Sequence, residues 1–124
     1  MKKILIVDDE EDITELVKKL LKSEGFDVVT ANSGKEALAL LESTTPDLIF
    51  LDLFMPEMSG WDVLREIRKR EELKEVPVIM LTVQPLYESI DREEVEEVVD
   101  YITKPFDKED IVEAIRQIPG FYED

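Results

Sequence analysis

The chain has 124 residues, a length typical of one domain, and its 15 basic and 31 acidic side chains give a formal net charge of −16 at pH 7. This acidic balance argues against nucleic acid and anionic membrane surfaces as partners, since phosphate contacts need clusters of Lys and Arg. The absence of Cys and His excludes disulfides, thiol catalysis, zinc–thiolate sites and imidazole bases, and no apolar run is long enough to span a membrane.

The N-terminal region predicts a strand followed by an acidic helix start. Residues 3–7 are the first strand, which begins so close to Met1 that no signal peptide fits, and a cytoplasmic location is expected. Five acidic residues, 8–12, follow the strand, more than a helix dipole requires. Gly25 ends the first helix. The apolar residues of this helix recur at helical spacing and are Ile13, Leu16, Val17, Leu20 and Leu21.

The third strand is the centre of the pattern. It follows a second strand over residues 27–31 and a second helix that Ser33 caps. Residues 48–51 are a continuous apolar run, typical of a strand buried on both faces, and the run ends on Asp52. Because a buried carboxylate is costly unless it is paired, Asp52 is the first candidate for chemistry.

Two further strands follow a third helix that starts near Gly60. The fourth strand, residues 78–81, is apolar and ends on Thr82. Residues 85–98 are the least clear part of the chain, because they are rich in charge and poor in apolar residues. We expect a helix there that moves at low cost. The fifth strand is predicted over residues 99–102.

A last helix, capped by Asp107 and ended by Pro119-Gly120, completes the pattern and leaves residues 121–124 as a tail. Strand and helix therefore alternate five times. This predicts an α/β fold, a doubly wound five-stranded parallel sheet of order 2-1-3-4-5 with a flavodoxin-like (βα)5 arrangement. Residues 1–124 are expected to form a single domain.

Parallel strands end at the same edge of a sheet, so acids, a hydroxyl and a cation should converge there. The candidates are Asp8 and Asp9 after the first strand, Asp52, Thr82 and Lys104. Three neighbouring carboxylates raise each other's pKa, and a Mg²⁺ ion would relieve that repulsion. Asp52 would then accept a phosphoryl group as the nucleophile. Mg²⁺ and Lys104 would neutralise its oxygens, and Thr82 would donate a hydrogen bond to it.

These residues stand in motifs that resemble the response-regulator receiver domain, the phosphoacceptor module of two-component signalling. The resemblance extends from Lys3 to about Ile118. In chain order the motifs are Asp8-Asp9, residues 51–56 with Gly60 after them, Leu81-Thr82, and residues 101–106. Each motif alone is a weak signal, whereas four in order at strand ends are highly specific.

The resemblance implies a metal site and a switch. Asp9, Asp52 and the backbone carbonyl of Phe54 would bind Mg²⁺ directly, and Asp8 would bind it through water. Thr82 and Tyr101 would be the switch pair, and the Lys104-Pro105 peptide would be cis. The phosphoryl donor would be a histidine kinase or a phosphotransfer protein.

The implied output is binding to a downstream protein that the sequence does not identify. The expected binding surface is the face made by the helix within residues 85–98, the fifth strand and the last helix. A stand-alone monomer is expected, which is not an enzyme in its own right but assists its own phosphorylation and its slow dephosphorylation.

Three alternatives compete with this interpretation. Asp52 could be only a buried ion-pair partner of Lys104, in an inert receiver-like domain. A haloacid-dehalogenase-type phosphatase would need a second Asp two residues after the nucleophile, where this chain has Phe54. A dinucleotide-binding protein would need glycines after the first strand, where this chain has acids.

Overall fold

The computed structural model describes residues 2–83, 98 and 100–122. Its strands are β1 (Lys3–Val7), β2 (Asp27–Ala31), β3 (Leu48–Asp52), β4 (Val78–Thr82) and β5 (Asp100–Thr103). Its helices are α1 (Glu11–Ser23), α2 (Gly34–Leu40), α3 (Gly60–Lys69) and α4 (Lys108–Arg116), with a short 3₁₀ turn at Glu71–Leu73. The helix predicted within residues 85–98 lies outside the described part of the chain.

All strand pairs are parallel, and the sheet order is β2-β1-β3-β4-β5. This confirms the predicted doubly wound sheet and places β3 in its centre. Every residue of β3 and of β4 is buried. The continuous apolar runs of these strands are explained by helices that cover both faces of the sheet.

Alternate residues of β3 pack into two separate apolar layers. Ile49 and Leu51 lie in one layer with Val63 of α3, whereas Leu48 and Phe50 lie in the other. The second layer also contains residues of α1 and α4. This period-two alternation follows from the pleat of a strand, and it leaves only the strand ends free for polar side chains.

Side-chain caps begin three of the described helices. The side chains of Ser33, Ser59 and Asp107 each accept a hydrogen bond from a backbone N–H three residues later. At α3 and α4 the cap is reciprocal, because Asp62 and Asp110 accept from the backbone of the cap residue. The caps predicted at Ser33 and Asp107 are therefore confirmed.

Some details differ from the expectations. Leu16 is 46% exposed, whereas Thr14 on the same helix is buried. Phe121 is buried and packs on Phe26 with ring centroids 5.4 Å apart, so the C-terminal segment is not simply a tail. β5 extends one residue further than predicted, to Thr103, and the predicted first residue, 99, lies outside the described part of the chain.

Candidate functional site

The strand register brings the candidate residues to one edge of the sheet. Val7 at the end of β1 pairs with Leu51, and Thr82 at the end of β4 pairs with Thr103. Lys104 follows Thr103 immediately, and its backbone N–H donates to the carbonyl of Thr82 at 2.6 Å. The polar residues after β1, β3 and β5 therefore face a common crevice, as the parallel topology predicts.

Asp52 is held rigidly at the centre of this edge. Its side chain is buried, and its Oδ1 accepts a hydrogen bond from the backbone N–H of Phe54 at 3.2 Å. The next residue, Leu53, donates its N–H to Leu81 and accepts from the N–H of Gly60 at 2.9 Å. The Phe54 N–H therefore orients the carboxylate, and the two hydrogen bonds of Leu53 hold the main chain that follows it.

Gly60 is required for this arrangement. A Cβ atom at this position would lie 2.5 Å from the carbonyl oxygen of Asp52 and 2.9 Å from the Cα of Leu53. Both neighbours are backbone atoms that cannot rotate away. The absence of a side chain therefore lets the start of α3 pack directly against the end of β3.

An acidic cluster lies beside Asp52. Carboxylate oxygens of Asp8, Asp9 and Glu10 all lie within 4.8 Å of one another. Asp8 is fully buried and its Oδ1 accepts from the N–H of Glu10 at 2.9 Å, whereas Asp9 and Glu10 are exposed. The cluster offers only oxygen donors, which are the ligands that Mg²⁺ prefers.

Lys104 is the cation of the crevice. Its Nζ lies 2.7 Å from Asp8 Oδ2, 3.6 Å from Glu10 Oε1 and 3.7 Å from Asp52 Oδ2. The Lys104 side chain is only 9% exposed. Asp8, Asp52 and Lys104 therefore come together as predicted, and Glu10 joins them.

Burial, more than the neighbouring charges, raises the pKa values of the two buried acids in this crevice. Burial, the charge of Asp8 and a hydrogen bond with Asp9 raise the pKa of Asp52 to about 7, although Lys104 acts in the opposite direction. Burial also raises the pKa of Asp8 above its ordinary value, despite its hydrogen bond with Lys104. Burial alone would lower the pKa of Lys104, but its contacts with Asp8 raise it.

Thr82 and Tyr101 lie on neighbouring strands and on the same face of the sheet. Thr82 is buried at the end of β4. Tyr101 pairs with Met80, which lies two residues before Thr82. Tyr101 and Met80 both pack in the apolar layer that contains Val63 of α3. Two apolar residues near the site are exposed. Phe54, two residues after Asp52, is 51% exposed, and Val83, which follows Thr82, is 55% exposed. The Lys104-Pro105 peptide is cis, as the resemblance implied.

Glu10 and Asn32 are site residues that the sequence interpretation missed. Asn32 donates through Nδ2 to the backbone carbonyl of Asp8 at 2.9 Å and to Thr14 Oγ1 at 3.2 Å, which ties the acidic loop to α1. The predicted strand order contained a signal for Asn32, because it follows β2 and β2 neighbours β1. In the sequence pattern, Glu10 is only one of five acids at the start of a helix, and nothing there indicates a contact with Lys104.

The geometry fits a divalent cation and a phosphoryl group. The carboxylates could share a Mg²⁺ ion, whose charge would oppose the burial and the mutual repulsion that raise the pKa of Asp8 and Asp52. Lys104 stands close enough to balance an anion carried by Asp52.

No described helix is both long enough and apolar enough to cross a membrane.

Comparison with known proteins identifies the same module. The family model described as the response regulator receiver domain matches residues 4–116. The transcriptional regulatory protein CpxR of Klebsiella pneumoniae is 43% identical over 120 residues, covering 95% of this chain and 49% of the relative. The chain thus spans about half the length of that curated relative.

Solved structures agree over nearly the whole chain. The chemotaxis protein CheY4 of Vibrio cholerae has a TM-score of 0.84 at 30% identity, covering 95% of this chain and 98% of that chain. The response regulator TrrA of Thermotoga maritima, in complex with Mg²⁺-BeF, has a TM-score of 0.82 at 38% identity, covering 94% and 98%. A second structure contains TrrA with the histidine kinase ThkA, and its match has a TM-score of 0.80 at 39% identity, covering 94% and 97%.

Proposed function

The chain belongs to the response-regulator receiver domain family, and from this we propose that it is a switch that accepts a phosphoryl group on Asp52 in a Mg²⁺-dependent reaction. The observation that carries the proposal is a buried carboxylate, with its pKa raised to about 7, that lies 3.7 Å from Lys104 Nζ and beside an acidic cluster. Phosphoacceptance is general to this family. The identity of the phosphorylated residue and the roles of its neighbours are specific to this proposal.

In the proposed reaction, a carboxylate oxygen of Asp52 attacks the phosphorus of a phosphohistidine. The P–N bond breaks, the new P–O bond forms an acyl phosphate, and the imidazole leaves with its electron pair. Lys104 moves its ammonium toward the transferred group and balances its added charge. The Thr82 hydroxyl donates a hydrogen bond to a phosphoryl oxygen.

The proposed metal site uses Asp8, Asp9, Asp52 and the backbone carbonyl of Phe54. A bound Mg²⁺ would supply charge neutralisation for the phosphoryl oxygens. The Mg²⁺-BeF complex of TrrA and the clustered carboxylates of this chain support the proposal. The N–H of Phe54 already fixes the orientation of Asp52, so the carboxylate needs little rearrangement to bind.

The proposed partners follow from the same family. A histidine kinase or a phosphotransfer protein would donate the phosphoryl group, as the pairing of TrrA with ThkA suggests. A downstream protein would read the phosphorylated state. We further propose a cytoplasmic monomer, a single domain over residues 1–124, and no turnover of an external substrate beyond assisting its own phosphorylation and slow dephosphorylation.

Incubation with acetyl phosphate tests the assignment of Asp52. In the presence of Mg²⁺, intact mass spectrometry should show one added phosphate, and a chelator should abolish it. Asp52→Asn should lose this adduct. Asp47→Asn is a matched control, because Asp47 lies just before the same strand, exposed, and accepts from the N–H of Lys3. An equal phosphate yield in Asp52→Asn would refute the proposal.

A further inference from the structure

We propose that Glu10 is a positioning residue for Lys104. Its carboxylate holds the ammonium near the mouth of the crevice and away from Asp52, and it must release Lys104 when a phosphoryl group arrives. This inference rests on the proposed function of Asp52. In this proposal, Glu10 competes for Lys104 and is neither a metal ligand nor the nucleophile.

The first observation is the position of the Lys104 ammonium. The distance from Nζ to Glu10 Oε1, 3.6 Å, is no longer than the 3.7 Å to Asp52 Oδ2. Lys104 thus divides its charge between Asp8 and two further carboxylates. Any pull toward Glu10 opposes a move toward a group bound to Asp52.

The second observation is the direction of the Glu10 side chain. Glu10 is the N-cap residue of α1, yet its side chain makes no capping hydrogen bond. The N-cap side chains of α2, α3 and α4 all do. Glu is not among the preferred N-cap residues, and the Glu10 carboxylate points to Lys104, with Oε1 3.6 Å from Nζ.

The backbone keeps Glu10 in this position. Its N–H donates to Asp8 Oδ1 at 2.9 Å, and its carbonyl accepts from the N–H groups of Ile13 and Thr14. Glu10 is therefore fixed to the same Asp8 carboxylate that contacts Lys104 most closely. Its side chain is 60% exposed, so that it can turn into solvent when Lys104 leaves.

A phosphoryl group on Asp52 would compete with Glu10 for the ammonium. Glu10→Gln keeps the shape of the side chain but removes its charge, so Lys104 should move toward Asp52 more easily. Partly exposed ion pairs contribute little, and the expected gain in affinity for a phosphoryl mimic is about two- to fivefold. Glu11→Gln is the matched control, because it removes the same charge one residue away.

The test measures the affinity of beryllofluoride, which stands in for the phosphoryl group, by calorimetry at saturating Mg²⁺. The proteins are the unsubstituted chain, Glu10→Gln, Glu11→Gln, Lys104→Met and the Glu10→Gln/Lys104→Met double variant. The Mg²⁺ affinity of each is measured first. If Lys104→Met does not fold, the comparison of Glu10→Gln with Glu11→Gln stands on its own.

We expect Glu10→Gln to bind beryllofluoride about two- to fivefold more tightly, Glu11→Gln to be unchanged, and the gain to vanish in the Lys104→Met background. An equal gain without Lys104 would show a general charge effect and overturn the proposal. A loss of Mg²⁺ affinity of about tenfold or more in Glu10→Gln would assign Glu10 to the metal site, as a ligand or a support of one, and overturn the proposal. If the unsubstituted chain failed to bind beryllofluoride, the proposed function would fail with it, whereas binding without a gain refutes the role of Glu10 alone.

Discussion

At Asp52, burial and neighbouring carboxylates raise the pKa to about 7. In the unfolded chain an Asp has a pKa of about 4, so the folded state binds the proton more tightly. The resulting stabilisation is complete below about pH 4 and is lost as the pH rises through about 7. This sign is opposite to that of an ordinary salt-bridged Asp.

We predict that the melting temperature of the metal-free protein falls between pH 5 and pH 8, and falls less in Asp52→Asn. Circular dichroism at constant ionic strength measures both curves. The net charge of −16 also grows more negative with pH and lowers stability. Asp47→Asn controls for this general effect and should follow the unsubstituted protein. Equal slopes in all three proteins would contradict the assignment.

Phe54 gives a second prediction at the residue scale. It is half-exposed two residues after Asp52, where it offers no side-chain hydrogen bond to orient an attacking water. Phe54→Asn should therefore accelerate the loss of phosphate several-fold, followed by intact mass after removal of the donor. Phe54→Leu keeps an apolar cover and should lose phosphate at nearly the original rate. If Phe54→Asn lost phosphate no faster, the idea that the Phe54 side chain shields the acyl phosphate from water would be refuted.

At the scale of elements, the sheet could be predicted because each strand is a short apolar run bounded by polar or turn residues. Leu16 shows where a pattern fails. The buried residues of α1 include Thr14, Val17 and Leu21. With about 100° between successive residues, Leu16 lies about 130° from the centre of that face, more than a third of a turn. An i, i+3, i+4 template does not fix the edge of a helix face.

Phe121 and Glu10 could not be placed from the sequence for a different reason. Phe121 follows Pro119-Gly120, so local signals favour a tail, and only its contact with the distant Phe26 buries it. The contact of Glu10 with Lys104 likewise joins residues far apart in the chain. Strand order predicted which strand ends meet, but not which rotamer each side chain adopts there.

The junction of β3 and α3 provides a prediction at this scale. Gly60→Ala should destabilise the protein by about 1–3 kcal/mol, because its Cβ overlaps the Asp52 carbonyl, and should also weaken Mg²⁺ binding by displacing Asp52. Chemical denaturation and calorimetry measure the two effects. Gly25→Ala is the control, since its φ of +93° makes Ala costly far from the crevice. Loss of stability in both variants with unchanged Mg²⁺ affinity in both would contradict this coupling.

At the scale of the whole molecule, two packed layers hold the strands rigid and leave their carboxyl ends for function. Thr82 and Tyr101 lie at the boundary between these parts, since Thr82 ends β4 at the crevice and Tyr101 packs into the layer below. In the proposed switch, these two residues would carry a change at Asp52 to the β5 face. Such a switch needs an element with two states that phosphorylation biases.

The last prediction concerns this path. A phosphoryl group on Asp52 should draw the Thr82 hydroxyl toward it, and Tyr101 should turn inward beside β5. Val83 should oppose this movement, because its branched side chain next to Thr82 should restrict the loop. Amide shifts measured with and without Mg²⁺-beryllofluoride should change most, away from the metal site, within residues 82–104. Val83→Ala should shift the same amides toward their activated positions before beryllofluoride is added. Leu16→Ala, on exposed α1 surface, should not. Changes confined to the loops around Asp9 and Asp52 would show that the site binds the mimic without moving this face.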